Sequence, residues 1–272
     1  MDNSCGYVDC FLKCQIFQSE VMQMHPVLLE IGTLKIYSYG LLIALGILAA
    51  TIWMVRQVKK EGKPPEFVLD IVLIGVIFGI IGARLFYVFL YEPAYYLSHP
   101  LHILYIREGG LAFYGGLLLG LAAILIYLYR RRIPILAFLD LAAPATALAY
   151  AIGRFGCFLN GCCYGKATTV PWGVVFPVVD GLKRHPTQLY SVLAGFIIFI
   201  LLLWVKRRGV RFHGQLFALF LIFYGVYRAV IDLFRENTQL SGGPPQASQA
   251  AIILACSGVL LYLILFIRKR NA

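Results

Sequence analysis

From Ile36 to Val55 the chain carries apolar residues and no charge. A helix crosses the hydrocarbon of a bilayer with about 20 such residues, because only there are all backbone polar groups satisfied within the segment. The pattern recurs. Gly109 to Tyr129 and Ala250 to Ile267 are equally free of charge, and so is Leu189 to Val205. Phe67 to Tyr91 is interrupted by Asp70 and Arg84, Ile133 to Gly153 by Asp140, and Phe212 to Leu233 carries Arg228 and Asp232 near its end. A soluble helical bundle would need a polar face on each helix, which the clean runs lack. The chain is 60% hydrophobic and 14% charged, against about 45–50% and 25% in soluble domains. The reading is an all-α, polytopic integral membrane protein with seven transmembrane helices.

The net charge of +11 would suit a nucleic-acid binder only on a soluble chain, so nucleic acid is excluded as a partner. Fourteen of the 24 Lys and Arg residues fall in four clusters: Arg56 to Lys63, Arg130 to Arg132, Lys206 to Arg211 and Arg268 to Arg270. With seven spans all four lie on one side. The positive-inside rule makes that side cytoplasmic, which puts the C-terminus inside and the N-terminus outside. Segments 92–108, 154–188 and 235–249 then lie on the outer face. Residues 1–24 read as an extension containing Cys5, Cys10 and Cys14, or as sequence ahead of a start at Met22 or Met24. They hold no apolar run long enough for a signal peptide. Residues 25–272 form the transmembrane domain, and 241–249 reads as a turn before the last helix.

Charged residues inside spans are expensive and mark candidate sites. Arg84, Arg154 and Arg228 all sit toward the outer ends of their helices, where three guanidiniums can converge on an anion such as a phosphate. Snorkelling, or pairing with Asp232 or Glu236, is the structural alternative. Arg228 and Asp232 are four apart and share a helix face, with Arg235 near it. Residues 153–165 hold four glycines, which should break the helix and let backbone approach a ligand. Asn160 can donate and accept there. Cys157, Cys162 and Cys163 match no strong zinc spacing, so no metal is expected. Small-residue packing is the first reading of these thiols, and a disulfide from Cys157 to Cys162 or Cys163 the second. The glycine-rich start of the third run holds Tyr114, either an interfacial anchor or a group for a headgroup or proton. A phenol with pKa about 10 is a poor unaided base.

Several ordered segments resemble the prolipoprotein diacylglyceryl transferase family of bacterial inner membranes. The most specific is Gly153-Arg-Phe-Gly-Cys-Phe-Leu-Asn-Gly161. Others are His25-Pro-Val-Leu-Leu-Glu-Ile-Gly32, Tyr37-Ser-Tyr-Gly40, Gly109-Gly-Leu-Ala-Phe-Tyr-Gly-Gly116, His185-Pro-Thr-Gln-Leu-Tyr190 and Tyr224-Gly-Val-Tyr-Arg228. The resemblance implies a seven-span transferase that needs no cofactor. Such an enzyme moves the diacylglyceryl group of phosphatidylglycerol to the lipobox cysteine thiol of a prolipoprotein, making a thioether and releasing glycerol 1-phosphate. It implies headgroup roles for Arg154 and Arg228, and places Tyr39, Asn160 and Gly165 near the site. Arg84, Asp232 and Arg235 complete the candidate substrate-binding set, with Tyr114 joining the two arginines as the catalytic candidates. The sequence departs from the family pattern at four positions. Tyr114 stands where many members have histidine, Cys157 where many have asparagine, and Cys162 and Asp232 where many have glutamate. A transporter or binding protein for an anionic solute is the rival reading, though the chain shows neither paired halves nor matching broken helices.

Overall fold

The computed structural model describes residues 27–31, 34–105, 110–177, 179–235 and 246–271. The extension at 1–24 lies outside them, as do parts of segments 92–108 and 235–249. A short antiparallel hairpin of β1 (Val27–Ile31) and β2 (Leu34–Tyr37) leads into α1 (Ser38–Lys60). Then come α2 (Glu66–Leu90), the short α3 (Pro93–Ser98), a 3₁₀ turn (Pro100–Leu104), α4 (Phe113–Arg130) and α5 (Ile135–Leu159). A loop carrying β3 (Val174–Val175) and β4 (Lys183–Arg184) precedes α6 (Thr187–Arg208), α7 (Gln215–Asp232) and α8 (Gln246–Asn271). Seven helices among the described residues are long and apolar enough to span a membrane, as the hydropathy implies. Their outer faces stay apolar: Leu73 on α2 is 61% exposed and Phe89 70%. Such faces are at home in lipid and would aggregate in water. The last turns of α1, α4, α6 and α8 end on basic residues, favourable against the negative end of the helix dipole.

Two elements differ from the sequence reading. Helix α5 runs through Gly153 and Gly156 to Leu159, so the glycine-rich stretch does not break it where expected. Gly156 instead serves packing, since a Cβ there would lie 3.1 Å from Leu42 Cβ on α1. The chain turns only at Gly161, whose φ is +70°. Residues 246–249, expected in a turn, already belong to α8.

The chain divides into two compact units, one of residues up to 50 and from 143 onward, the other of 51–142. In the second unit α2 packs on α4 through glycines on both helices. A Cβ at Gly82 would lie 2.6 Å from Leu119 Cβ, and one at Gly116 2.8 Å from Gly79 O. Membrane helices lack a hydrophobic force between them, so close backbone approach of small residues supplies the contact. Asp70 is settled within this unit, accepting a 2.5 Å hydrogen bond from Tyr127 Oη beside a core of Ile71, Leu128 and Phe138.

In the first unit the same device recurs. Gly46 approaches Ala149 O at 3.0 Å, Gly195 approaches Ala151 Cβ at 2.9 Å, and Gly258 approaches Ala218 O at 2.9 Å, measured from the Cβ each would carry. Ala143, Ala147, Ile198, Leu202 and Leu216 form the core joining α5, α6 and α7. Gly82→Val should therefore force α2 and α4 apart and destabilise by about 1–3 kcal/mol, the usual range for overpacking. Gly40→Ala, with open space around it, is the control. Thermal unfolding in detergent checks this, and equal midpoints for the two variants would remove the glycine contact from the account.

Candidate active site

The arginines that come together are not quite the expected trio. Arg154 on α5, Arg228 on α7 and Arg235 just beyond α7 lie in the same unit, and Arg228 feels the charge of both others. One carboxylate answers them. Asp232, 3% exposed, pairs with Arg228 one turn back and accepts a 3.0 Å hydrogen bond from Ser248 Oγ at the start of α8. Glu236, the other expected partner, lies outside the described residues. Among the described residues Arg154 and Arg235 have no ion pair. Arg154 is held by an aromatic face instead, its Cζ 5.0 Å from the centroid of Tyr150. Tyr150 Oη lies 3.0 Å from Tyr227 Oη, which donates to Ser191 Oγ, which in turn donates to Thr187 O at 2.7 Å. A chain of hydroxyls thus ties α5, α6 and α7 beneath the guanidinium. The arrangement leaves the N–H donors of Arg154 available to an anion.

The segment after α5 folds back over the helix end. Gly161 and Cys163 both take left-handed backbone, φ +70° and +65°, rare for a residue with a side chain. The turn brings the sulfurs of Cys157, Cys162 and Cys163 within 4.8 Å of one another. Two side chains from the start of α6 brace it: Thr187 Oγ1 donates to Cys163 O and Gln188 Nε2 to Cys162 O, both at 2.7 Å. Gln188 is buried, and its Oε1 accepts from nothing among the described residues. Asn160 lies beside Cys162, and Tyr39 on α1 lies within electrostatic reach of Arg154 and all three cysteines. Cys162 Sγ donates to Cys157 O at 3.7 Å, and the Cys157 and Cys162 thiols beside it, with Arg154 and Arg235 nearby, push the Cys163 thiol well below its usual range. Gly165 is a crossing point. Its N–H donates to His185 O at 2.9 Å, it bridges Arg235, and a Cβ there would lie 2.8 Å from Thr187 Cγ2.

Arg84 and Tyr114 belong to the other unit. Arg84 is 5% exposed, and its donors go to the carbonyls of Ile103, Gly110, His102 and Tyr105, at 2.9, 3.1, 2.6 and 3.3 Å. It clamps the segment between α2 and α4, a different task from the anion contact expected of it. Tyr114 is 68% exposed, touches Phe113 edge-on, and makes no hydrogen bond among the described residues.

The family model for prolipoprotein diacylglyceryl transferase matches residues 26–267. A phosphatidylglycerol–prolipoprotein diacylglyceryl transferase of Clostridium tetani is 38% identical over 79% of this chain and 86% of its own. Proteins of the same name from Bordetella parapertussis and Geobacter sulfurreducens are 37% and 41% identical, over 89% and 78% of this chain and 95% and 82% of theirs. The chain belongs to the prolipoprotein diacylglyceryl transferase family. It is a transferase of lipoprotein biosynthesis and a multi-pass membrane protein, which displaces the solute-carrier reading. For a member of this family the sequence reading missed Tyr150, Tyr227 and Ser191. They are ordinary residues of apolar runs, and the signal was their helical spacing: Tyr150 and Arg154 are four apart, as are Thr187 and Ser191. Gln188 was noted only as a hydrogen-bonding side chain, and its buried acceptor appears only in three dimensions.

The loop that carries the cysteines has its own pH limit. Arg184 Nη2 lies 2.6 Å from Asp180 Oδ2, and its Nη1 donates to Gly165 O at 3.3 Å. The hydrogen bond from Arg184 holds the Asp180 carboxyl below its usual range. A lowered folded value means that the contribution is present above the ordinary aspartate range, about 3.9, and is lost as pH falls through the lowered value. Amide exchange of Gly165 and Thr168 should accordingly speed up as the pH falls below the ordinary aspartate range and through that lowered value. Asp180→Asn should show the faster exchange already at neutral pH. Unchanged protection in that variant would remove the ion pair from the loop's support.

Proposed function

We propose that this chain transfers the sn-1,2-diacylglyceryl group of phosphatidylglycerol to the lipobox cysteine thiol of a prolipoprotein, at a site built on Arg154, Arg228 and Arg235. The observation that carries this reading is three guanidiniums answered, among the described residues, by one carboxylate in an apolar helical protein. A phosphate headgroup supplies the charge that such a site is missing. The relatives' names supply the donor and the acceptor.

The acceptor sulfur attacks the glycerol carbon that bears the phosphate ester. The C–S bond forms as the C–O bond breaks, the electron pair leaves on the phosphate oxygen, and the thiol proton is lost to a base or to solvent. The products are the thioether and glycerol 1-phosphate. Charge grows on the departing phosphate, so donors aimed at it stabilise the transition state more than the ground state. Arg154 is first in this role because its donors meet no acceptor among the described residues. Arg228 is oriented by Asp232, and Arg235 adds charge beside it. Asn160, Tyr39 and Gly165 line or shape the approach. The active site faces the periplasmic side of the bacterial cytoplasmic membrane, with the four basic clusters on the other.

Purified protein incubated with phosphatidylglycerol and a lipobox peptide should yield the lipid-modified cysteine. Absence of product under conditions where a known member works would overturn the reading. Arg154→Ala should lower kcat by about 10²–10³, the loss seen when a transition-state donor is removed. Near-full activity would sink the phosphate clamp, and near-full activity of Tyr114→Phe would remove its hydroxyl from the chemistry. A reporter fused at Ala272 tests the topology: activity of a periplasm-dependent reporter there would reverse the orientation.

A further inference from the structure

Three thiols stand at the helix end that carries Arg154 and take no part in the anion contacts. Cys157, Cys162 and Cys163 are all free, and their sulfurs lie within 4.8 Å of one another. We propose that Cys157 and Cys163 are a reversible dithiol–disulfide pair, and that closing it removes an anion that competes with the lipid phosphate for Arg154 and Arg235. This rests on the headgroup reading of the arginines above and gives that site a redox-dependent affinity.

The pairing follows from position. A disulfide bond is about 2 Å long, which rotation of the two side chains can reach from the present separation. Neighbouring residues are poorly placed for one, because adjacent Cα atoms are about 3.8 Å apart and a disulfide ordinarily needs about 4.4 Å or more. That sets aside Cys162 as the partner of Cys163. The Cys162 sulfur is also engaged, donating to Cys157 O at 3.7 Å. Cys163 is half-buried and so meets an oxidant first, whereas Cys157 is 8% exposed and can only resolve what Cys163 begins. The turn is anchored independently of the sulfurs. Thr187 Oγ1 holds Cys163 O and Gln188 Nε2 holds Cys162 O, each at 2.7 Å. Oxidation therefore changes the charge of the turn more than its path.

The charge is what matters to the arginines. A thiol beside guanidiniums ionises more readily than a free one. The Cys157 and Cys162 thiols, and after them Arg154 and Arg235, favour the thiolate of Cys163. Such a thiolate is a resident anion where the phosphate charge is needed. A disulfide has no charge, so closing it returns both guanidiniums to an incoming phosphate. The positive-inside rule puts this end of α5 on the outer face, where disulfides persist.

The step balances with a small-molecule disulfide as oxidant. The Cys163 thiolate attacks one donor sulfur and forms a mixed disulfide, and the first donor thiolate leaves. Cys157 then attacks the Cys163 sulfur, and the second donor thiolate leaves. The Cys157 proton passes to one donor thiolate, and solvent protonates the other. Two protein sulfurs are oxidised and the donor is reduced to two thiols.

The test uses the full chain in detergent with Cys5, Cys10, Cys14 and Cys256 changed to serine. Oxidised glutathione should remove two hydrogens from the peptide spanning residues 155–166, and a phosphine should restore them. The loss should survive in Cys162→Ser and vanish in Cys157→Ser and Cys163→Ser. With a lipobox peptide as acceptor, oxidised protein should show a KM for phosphatidylglycerol at least about threefold below that of reduced protein, with kcat little changed. The gap should narrow in high salt, as charge effects do. Cys163→Ala should show the lower KM even when reduced, and reduced Cys157→Ser the higher one. No hydrogen loss in the parent protein, or a loss that persists in Cys163→Ser, overturns the pair. Equal KM values in the two redox states, or a gap that high salt leaves intact, overturn the competing anion. Inactivity of both forms where a known member works overturns the transferase reading instead, and the mass measurement still decides the pair.

Discussion

Holding like charges together in an apolar helical protein is the constraint on which the rest depends. Arg154 and Arg235 both repel Arg228, and among the described residues the one carboxylate, Asp232, answers only Arg228. An unpaired charge taken out of water is among the costliest things a membrane protein can carry, so it persists where other structure over-determines it. Here the other structure is visible. Tyr150 offers its ring to Arg154, the hydroxyls of Tyr227 and Ser191 lock that ring to α6, and Ser248 reaches from α8 to fix the Asp232 carboxylate. Each of four helices contributes a polar side chain to these tethers.

Those tethers need helices that approach closely. Gly195 against Ala151 brings α6 to α5, while a Cβ at Gly225 would lie 2.6 Å from Ala255 N and one at Gly258 2.9 Å from Ala218 O, so glycine brings α8 to α7. Leucines at these positions would hold the backbones apart, and the short side chains of Ser191 and Ser248 would no longer reach. In lipid, where apolar side chains gain little by leaving their solvent, small residues make the contact and short polar side chains specify it. The glycine pattern and the polar network are therefore one design seen at two scales.

Much of this was legible in the sequence, for a physical reason. Span number and type follow from the requirement that backbone groups be satisfied inside hydrocarbon, a one-dimensional property that a run such as Ala250 to Ile267 displays directly. Arg154, Arg228 and Asp232 were legible because a charge inside an apolar run is conspicuous. The fate of Gly153 and Gly156 was not. Glycine in a sequence permits both a break and a close helix contact, and only the neighbour, Leu42 of α1, decides for the second. The thiol cluster was hidden for a related reason. Cys157 lies on a helix and Cys162 and Cys163 beyond it, so their separation depends on the sign of φ at two residues, which spacing rules do not encode.

Arg84 and Arg154 show how the same side chain serves opposite ends. Both are arginines near the end of an apolar run, and both lie over a tyrosine ring, Tyr96 at 5.2 Å and Tyr150 at 5.0 Å. The difference lies in the N–H groups. Arg84 directs its fork at four backbone carbonyls of an adjoining segment, which the planar five-donor group can satisfy at once. With those donors committed, little is left for a ligand, and the residue becomes part of the scaffold. Arg154 is held through the face of its guanidinium, an attraction that stabilises charge without consuming a hydrogen. A cation fixed by an aromatic ring keeps its edge for an anion. The distinction turns on whether carbonyls or hydroxyl-bearing rings surround the group, which is why depth in the span marked both arginines and only their surroundings separate them.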